Sequence, residues 1–588
     1  MFTRGQRVLP ALLGALLLAA APALRAARAA VEAPHGGVAS AHELASRAGV
    51  EILKKGGNAV DAAVATGLAL EVVYPFAGNL GGGGFMLIHL ADGRDLAVDY
   101  RETAPAAAAH DMYLGPDGSV RDGPGSSTLG WRASGVPGSV AGFALALEKY
   151  GSGRITWAEA VEPARRLAAD GHLVSETIAA GLRHNAGLLG AFADSKEIYL
   201  NGGAFWKAGD LWRQPDLAAT LARLQQSGPR EFYEGETARK IADAMGRNGG
   251  TIALADLKNY RAVVRAPLRG AYRGYEIVTM PPPSSGGIAL LQMLGMLEPF
   301  DVRAMGPDTA VKFHLFHEVL RRAFRDRAEY LGDPDFVDVP AAGLLDRGYL
   351  ARLMKNFDPH HATASAGLAP GRPEGFTGGA SGGSAPRERR ETTHFSVVDG
   401  AGNAVANTYT LNGGFGSGVT IPGTGILMNN EMDDFTAKSG VPNMFGLIQG
   451  EANAIVAGKR PLSSMTPTFV LRDGKLLLVT GSPGGPTIIS TVLEIITNLV
   501  DHEMPVMPAV EAPRFHHQWM PDTFSYERGA LTLDTFNALT AMGHNLARPE
   551  NSPGFGQGDA ETIAIDPKTN LRLGVADPRN PSAAAVGY

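Results

Sequence analysis

The chain contains no cysteine, and this absence limits the chemistry that its 588 residues can perform. A protein without thiols has no thiolate nucleophile, no disulfide and no Cys-based metal site. The sequence also has no HExxH motif, and His516 and His517 are adjacent, a spacing that disfavours shared metal ligation from one helix face. We therefore predict no metal or other cofactor, and a structural role for the two histidines.

Long apolar runs are absent after the first 30 residues. Arg4 and Arg7 precede the apolar run 8–24, and Ala27-Arg28-Ala29 and Ala21-Pro22-Ala23 are two possible cleavage sites, a pattern typical of a secretory signal. A membrane anchor is the alternative, but the run is short for a span. We expect a signal peptide at residues 1–29 and an exported protein, periplasmic or secreted, with no stable membrane span.

Positive charge is in deficit, with 53 Lys and Arg against 59 Asp and Glu. Removal of residues 1–29 takes away four Arg and no acid, so the formal charge changes from −6 to −10. An acidic chain is a poor partner for nucleic acid or an anionic membrane, and we predict neither. Its hydrophobic fraction of 45% is ordinary for a globular protein with a large core.

Apolar periodicity and capping signals predict several helices and one glycine-rich turn. Ser40 with Glu43 resembles a capping box before a helix that ends at Gly56, and Thr156 with Glu159 resembles another. Further helices are predicted at 61–70, at 288–297, at 312–330 with Arg and Glu on its outer faces, and at 488–500. Gly81 to Gly84 lead into a strand at 85–88. No Lys-Ser/Thr follows them, which favours a close strand approach over a phosphate cradle.

The composition changes sharply at residues 364–391, which hold Ala, Gly, Ser and Pro and almost no large apolar residue. Such a segment buries too little surface to order itself, and we expect it to be exposed and mobile. A strand pattern begins immediately afterwards at Thr392. The junction is unusual because a strand starts abruptly on a hydroxyl residue.

Residues 392–398 and 404–412 form a predicted hairpin around the turn 399–403. In this register Thr392 lies opposite Thr410, with Cβ atoms about 5 Å apart. Asn412 shares the face of Thr410 because side chains alternate along a strand.

A second predicted hairpin joins 465–472 to 475–482 through Asp473-Gly474. Its register places Ser463 opposite Gly484. The N–H groups of Gly484 and Gly485, just before a predicted helix, suit an oxyanion or a carboxylate.

Thr392 becomes a candidate nucleophile if the chain is cut between Glu391 and Thr392. A threonine hydroxyl needs a base, and the α-amine of the same residue supplies one once it is a chain terminus. This chemistry requires no His-Asp pair.

Motifs throughout the chain, in order, resemble those of the γ-glutamyltranspeptidase family. They include Gly-Asn-Leu-Gly-Gly-Gly-Gly-Phe at 78–85, Tyr-Arg-Glu at 100–102, Thr-Thr-His-Phe-Ser at 392–396, Asn-Asn-Glu-Met-Asp-Asp-Phe at 429–435, Arg-Pro-Leu-Ser-Ser-Met at 460–465 and Gly-Ser-Pro-Gly-Gly at 481–485. The resemblance implies an α/β (α+β) N-terminal nucleophile hydrolase, an αββα sandwich of two stacked antiparallel sheets flanked by helices. It also implies a precursor that cleaves itself into a large subunit, 30–391, and a small subunit, 392–588, which remain together as a heterodimer.

The resemblance further implies the role of each site residue. Thr392 attacks the γ-glutamyl amide of glutathione and related compounds, and water or an acceptor amino acid or peptide resolves the acyl-enzyme. Thr410 holds the Thr392 hydroxyl, and Gly484 and Gly485 form the oxyanion hole. Arg101, Ser463 and Ser464 bind the glutamyl α-carboxylate, and Asn412, Glu431 and Asp434 bind its α-ammonium.

Four residues at three places depart from the pattern of bacterial relatives. Glu431 stands where many have Gln, which adds a charge expected to affect acceptor or water preference. Phe445 stands where relatives with a lid loop often have Tyr, so we predict a looser lid over 438–450. Pro486-Thr487 replaces Ser-Arg, which changes the acceptor-side contacts.

Two other functions remain as alternatives. A glutaryl-cephalosporin acylase on the same scaffold would keep Thr392 but relax the ammonium anchor, because a glutaryl group has no amine. A non-catalytic exported binding protein would not cleave itself.

Overall fold

The computed structural model describes residues 29–375, 392–547 and 556–588. Residues 1–28 of the predicted signal peptide and residues 376–391 of the predicted linker, including Glu391 of the predicted cleavage bond, lie outside the described residues. Residues 364–375 are described, and they are attached to the protein: Asp522 accepts from the N–H of Ser365 at 2.8 Å and Asp326 from the N–H of Gly371 at 3.1 Å.

The strands are short and lie mostly in two large sheets. In chain order they are β1 Val31–Ala33, β2 Gly36–Ser40, β3 Gly83–His89, β4 Asp95–Asp99, β5 His172–Leu173, β6 Leu211–Trp212, β7 Val263–Arg265, β8 Leu268–Tyr272, β9 Tyr275–Thr279, β10 Thr393–Asp399, β11 Ala404–Thr410, β12 Thr468–Arg472, β13 Lys475–Thr480, β14 Phe515–His516, β15 Phe524–Tyr526, β16 Leu546–Ala547, β17 Thr562–Ile565, β18 Arg572–Val575 and β19 Ala584–Gly587.

Each large sheet has seven antiparallel strands. The first has the order β1-β18-β17-β13-β12-β9-β8 and the second β19-β2-β10-β11-β3-β4-β7. Two small sheets, β14-β15-β16 and β5-β6, lie outside them. Both large sheets therefore combine strands from before and after Thr392.

The helices surround the two sheets. They are α1 Glu43–Lys54, α2 Ala59–Val73, α3 Ser139–Tyr150, α4 Trp157–Asp170, α5 Glu176–His184, α6 Ala186–Leu189, α7 Ala193–Tyr199, α8 Pro215–Ser227, α9 Glu231–Glu234, α10 Glu236–Arg247, α11 Leu254–Asn259, α12 Gly286–Leu297, α13 Val302–Met305, α14 Ala310–Tyr330, α15 Ala341–Leu344, α16 Arg347–Leu353, α17 Thr487–Val500, α18 Val506–Glu511 and α19 Leu533–Ala541. Short 3-10 helices include Trp131–Ala133, Asn201–Gly203, Ser365–Gly367, Glu431–Asp434 and Glu451–Asn453. No helix of the described ranges is both long and apolar enough to cross a membrane.

The layers follow from side-chain alternation in β10 and β11. Val397 and Val405 face the α1–α3 side, in one apolar core, whereas Val398 and Ala406 face the other sheet and pack with residues such as Phe469. Helices α12, α14 and α17 cover the far side of the first sheet with a further core. The arrangement is helix, sheet, sheet, helix, which confirms the predicted αββα sandwich.

Two helix predictions were wrong in detail. The N-cap of α1 is His42, whose ring accepts from the N–H of Leu44 at 3.3 Å, because Ser40 belongs to β2. Helix α14 buries its charged residues instead of exposing them, and Glu318 forms ion pairs with Arg321 and Arg322 inside the protein. The predicted capping box at α4 is confirmed.

The first hairpin has the predicted register, with Thr393 paired to Tyr409. The second departs from its predicted register. A bulge between Val470 and Leu471 shifts the pairing by one residue, and Ser463, outside the strand, bridges to Ser284 instead of Gly484.

Candidate active site

Thr392 and Thr410 meet at the end of the β10–β11 hairpin. Their Oγ1 atoms lie 3.2 Å apart, and the N–H of Asn412 donates to the Thr410 hydroxyl at 2.8 Å. Both threonines are buried and lie on the face directed at the other sheet. The hairpin therefore fixes the Thr392 hydroxyl between the two sheets.

A pocket opens at this point. Nine of the ten site residues predicted from the sequence line it: Arg101, Thr392, Thr410, Asn412, Glu431, Asp434, Ser463, Ser464 and Gly485. Gly484 is the tenth and adjoins this lining in the chain. Four apolar residues that the site prediction did not include complete the wall, namely Phe445, Leu447, Met465 and Ile488. Phe445 and Leu447 belong to the segment predicted as a lid, and Met465 is next to the predicted serine pair.

Arg101 lies among acidic residues at one side of the pocket. The 3-10 helix Glu431–Asp434 presents its first and last carboxylates to the guanidinium, and both form ion pairs with it. A third carboxylate, Glu102, is 3.8 Å from Arg101 and is also buried. Arg101 additionally donates to the carbonyl oxygens of Pro461 at 3.2 Å and of Leu462 at 3.3 Å.

The protonation of this cluster is set by burial and mutual charge. Burial raises the pKa of Glu431 well above its usual range, that of Glu102 to about 7, and that of Asp434, although Arg101 opposes each shift. Burial disfavours the Arg101 charge, but attraction to the three carboxylates outweighs it and raises the pKa of Arg101. One fixed cation therefore faces three acidic groups, an excess of acid that suits an incoming ammonium group.

Gly484 and Gly485 form the turn before α17, with φ of 130° and 54°. These values favour glycine, and neither N–H donates to an acceptor in the ranges that the structure describes. Thr487, one of the two departures at 486–487, fixes this turn because its N–H and its hydroxyl both donate to the Gly484 carbonyl, at 3.1 and 2.8 Å. The turn is thus held in place with its backbone donors available.

The segment 438–450 lies over the pocket. Asp433 accepts from the N–H of Met444 at 2.9 Å, and Gln518 donates to the Phe445 carbonyl at 3.1 Å. Phe445 is buried, and the Met444 sulfur accepts from the Asn412 amide at 3.5 Å. Contacts of the thioether and the phenyl ring therefore cover the site, and the looser lid stays a prediction.

His516 and His517 are buried behind the site. His516 Nδ1 lies 3.0 Å from the Ser490 hydroxyl, and His517 Nε2 lies 3.1 Å from an Asp522 carboxylate oxygen. These contacts agree with the structural role predicted for the pair.

An αββα sandwich with a candidate threonine nucleophile directly before a strand is the arrangement found in N-terminal nucleophile hydrolases. The model of the family described as "Gamma-glutamyltranspeptidase" matches residues 45–587 of this chain. The chain is 46% identical over 559 residues to the glutathione hydrolase proenzyme of Escherichia coli, covering 95% of this chain and 93% of the relative.

Solved structures agree with this match. The γ-glutamyltranspeptidase of Helicobacter pylori is 39% identical, with a TM-score of 0.56, covering 61% of this chain and 100% of its own. A cephalosporin acylase from Bacillus halodurans has a TM-score of 0.83 at 26% identity, covering 97% and 98%. The chain belongs to the γ-glutamyltranspeptidase family, and it is a γ-glutamyl hydrolase or transferase.

Proposed function

We propose that this protein cleaves itself between Glu391 and Thr392 and then uses Thr392 to open the γ-glutamyl amide of glutathione and related compounds. The observation that carries the proposal is the Thr392–Thr410 hydroxyl pair, 3.2 Å apart, at the wall of a pocket with a cation, carboxylates and serine hydroxyls. In the uncut chain the nitrogen of Thr392 belongs to a peptide bond and is not a base. Cleavage releases it as an amine and so creates the catalyst.

The reaction then follows in two balanced steps. The Thr392 amine takes the proton of Oγ1 as this oxygen attacks the γ-carbonyl carbon, and the N–H groups of Gly484 and Gly485 receive the developing oxyanion. Collapse of the adduct breaks the C–N bond, and the amine returns the proton to the leaving nitrogen. Water, or the amine of an acceptor amino acid or peptide, then gives a proton to the Thr392 amine as it attacks the ester carbonyl carbon. The bond from this carbon to Oγ1 breaks, Oγ1 takes the proton back, and glutamate or the γ-glutamyl product leaves.

The charge pattern of the pocket supports a zwitterionic donor head. Glu431 and Asp434, with the Asn412 side chain, are assigned to the α-ammonium, and Arg101 with Ser463 and Ser464 to the α-carboxylate. Without a ligand, Arg101 is bound to the two acids themselves. A glutamyl group carries one charge of each sign, so it can replace both halves of this ion pair at once.

The same pattern argues against the acylase alternative, despite the similar backbone of the Bacillus halodurans protein. A glutaryl donor has no amine, so it would bring no positive charge to Glu431 and Asp434. Release of p-nitroaniline from γ-glutamyl and glutaryl anilides distinguishes the two, and we expect the γ-glutamyl donor to be strongly preferred.

The central experiment is expression followed by a denaturing gel and N-terminal sequencing. We expect one fragment that begins at Thr392, whereas Thr392→Ala stays full-length and releases no p-nitroaniline from γ-glutamyl p-nitroanilide. Thr393→Ala is the matched control, because Thr393 points to the opposite face of β10 and its buried hydroxyl has no partner among the described residues. A single uncleaved band for the wild type would support a non-catalytic binding protein instead.

We further propose that residues 1–29 direct export to the periplasm or the medium and that fragments 30–391 and 392–588 stay together as a heterodimer. Support for the heterodimer comes from β10, which pairs with β2 on one side and with β11 on the other. N-terminal sequencing of both fragments from the mature protein tests the two cleavage points together.

A further inference from the structure

Arg327 of α14 lies behind the serine side of the pocket with an unusual set of partners. Its side chain is buried, with Nε donating to the Ser285 hydroxyl at 2.8 Å and Nη2 to the Ser464 hydroxyl at 3.2 Å. Nη1 is buried and finds no acceptor in the described part of the chain. Buried guanidinium groups are normally paired with acids, so this one calls for an explanation.

Neighbouring arginines show the normal arrangement. On the same helix, Arg322 pairs with Glu318, and Arg325 pairs with Glu329 at 3.2 Å. Arg101, which also lines the pocket, has three carboxylates within 4 Å. Arg327 makes no ion pair within 4 Å among the described residues, and the acid that attracts it, Asp434, is itself paired with Arg101.

The direction of the hydrogen bonds to Ser464 and Ser463 determines which of their hydroxyl protons remain available. A guanidinium only donates, so the Ser464 oxygen is an acceptor toward Arg327 and the Ser464 proton is left to point elsewhere. The Ser463 hydroxyl likewise accepts from the N–H of Met465 at 3.1 Å. Ser463 and Ser464 both line the pocket, and each therefore has a hydroxyl proton to offer an anion there.

Arg327 also holds the backbone of this pair. Its partner Ser285 donates to the Ser463 carbonyl twice, from its N–H at 2.7 Å and from its hydroxyl at 2.6 Å. The guanidinium thus fixes the turn at 463–464 through one serine and orients the hydroxyl of the other.

We propose that Arg327 is a positioning residue that makes the Ser463-Ser464 turn an anion subsite for the donor α-carboxylate, by orienting both serines and placing behind them a positive charge that has no ion-pair partner within 4 Å among the described residues. This inference rests on the proposed function and deepens it. Burial lowers the pKa of Arg327 only to about 10, with attraction to Asp434 opposing the shift, so the residue is a cation at neutral pH.

The test compares Arg327→Met and Arg327→Lys with the wild type, using γ-glutamyl p-nitroanilide as donor. L-Glutamate and L-glutamate α-amide serve as competitive inhibitors, since they differ only at the α-carboxylate. In Arg327→Met we expect KM for the anilide and the inhibition constant of glutamate to rise about tenfold or more, the loss typical of a hydrogen bond to a charged group. The constant for the α-amide should change less than about twofold, and Arg327→Lys should recover part of the preference for glutamate.

Arg322→Met is the matched control, because it also removes a buried arginine of α14 but one that contacts no pocket residue. It should leave the ratio of the two inhibition constants unchanged, and formation of the Thr392 fragment checks the fold of every variant. Equal weakening of both inhibitors in Arg327→Met, or no change in either, would overturn the inference. A wild type that does not turn over the anilide would instead refute the proposed function.

Discussion

Replacing Thr410 by valine tests the geometry of the nucleophile with almost no change of shape. Valine keeps the branched side chain but lacks the hydroxyl, which lies 3.2 Å from Thr392 Oγ1 and accepts from the N–H of Asn412 at 2.8 Å. A neutral hydrogen bond contributes about 0.5–1.5 kcal/mol, and a buried N–H left without an acceptor costs about 1–3 kcal/mol. Both losses fall on the groups that align Thr392.

If about 1.5–3 kcal/mol of this lost free energy is added to the activation barrier, both self-cleavage and turnover slow by about 10- to 100-fold. The assay follows the conversion of precursor to fragments on a denaturing gel with time, and then kcat for p-nitroaniline release by the matured protein. Thr410→Ser restores the hydroxyl and should remain close to the wild type in both measurements. A Thr410→Val protein that matures and turns over within about twofold of the wild type would refute the assigned role of Thr410.

Three further predictions concern the rest of the site and the core. Asp434→Asn removes a charge from the proposed ammonium anchor, so KM for γ-glutamyl p-nitroanilide should rise about tenfold or more while glutaryl p-nitroanilide is little affected. Gly485→Ala places a Cβ 2.9 Å from the Phe445 ring at a φ of 54°, and kcat should fall about tenfold or more, measured on matured protein. Burial lowers the pKa of His317 well below its usual range and that of His544 to about 3. The unfolded chain therefore takes up protons first below pH 6.5, and stability is lost as pH falls from 6.5 toward 3. For His544 alone this loss is about 2 kcal/mol at pH 5, and a lower urea midpoint at pH 5 than at pH 7.5, diminished in His544→Gln, is the expected result.

Local patterns predicted the parts of the site that one hairpin controls. The β10–β11 register follows from a short turn between two alternating strands, and so the Thr392–Thr410 contact could be predicted from the sequence. The second hairpin shows the limit of this reasoning. At the bulge opposite Val470 and Leu471, Leu477 of β13 is an extra residue that no turn signal predicts, and every pairing farther from the turn moves by one.

Local patterns also failed to predict which charged residues are buried and which of them make distant contacts. The charged residues of α14 resemble a solvated helix face in sequence, yet Glu318 is buried and finds Arg321 and Arg322 one turn away on the same helix. The contact of Arg327 with Ser464 spans 137 positions and has no periodic signature. The burial of α14 and the distant contact of Arg327 depend on how the layers stack, which neither propensity nor spacing predicts.

The order of strands in the two large sheets determines how easily the two proposed fragments could separate. In the second sheet, β10 and β11 lie between β2 and β3, and in the first, β12 and β13 lie between β17 and β9. After a cut before Thr392, neither fragment could leave without breaking the hydrogen bonds between central strands in both sheets. If the chain is cut there, partner exchange between two differently tagged preparations should proceed no faster than complete unfolding, because the strand ladders hold the two fragments together after the peptide bond is broken.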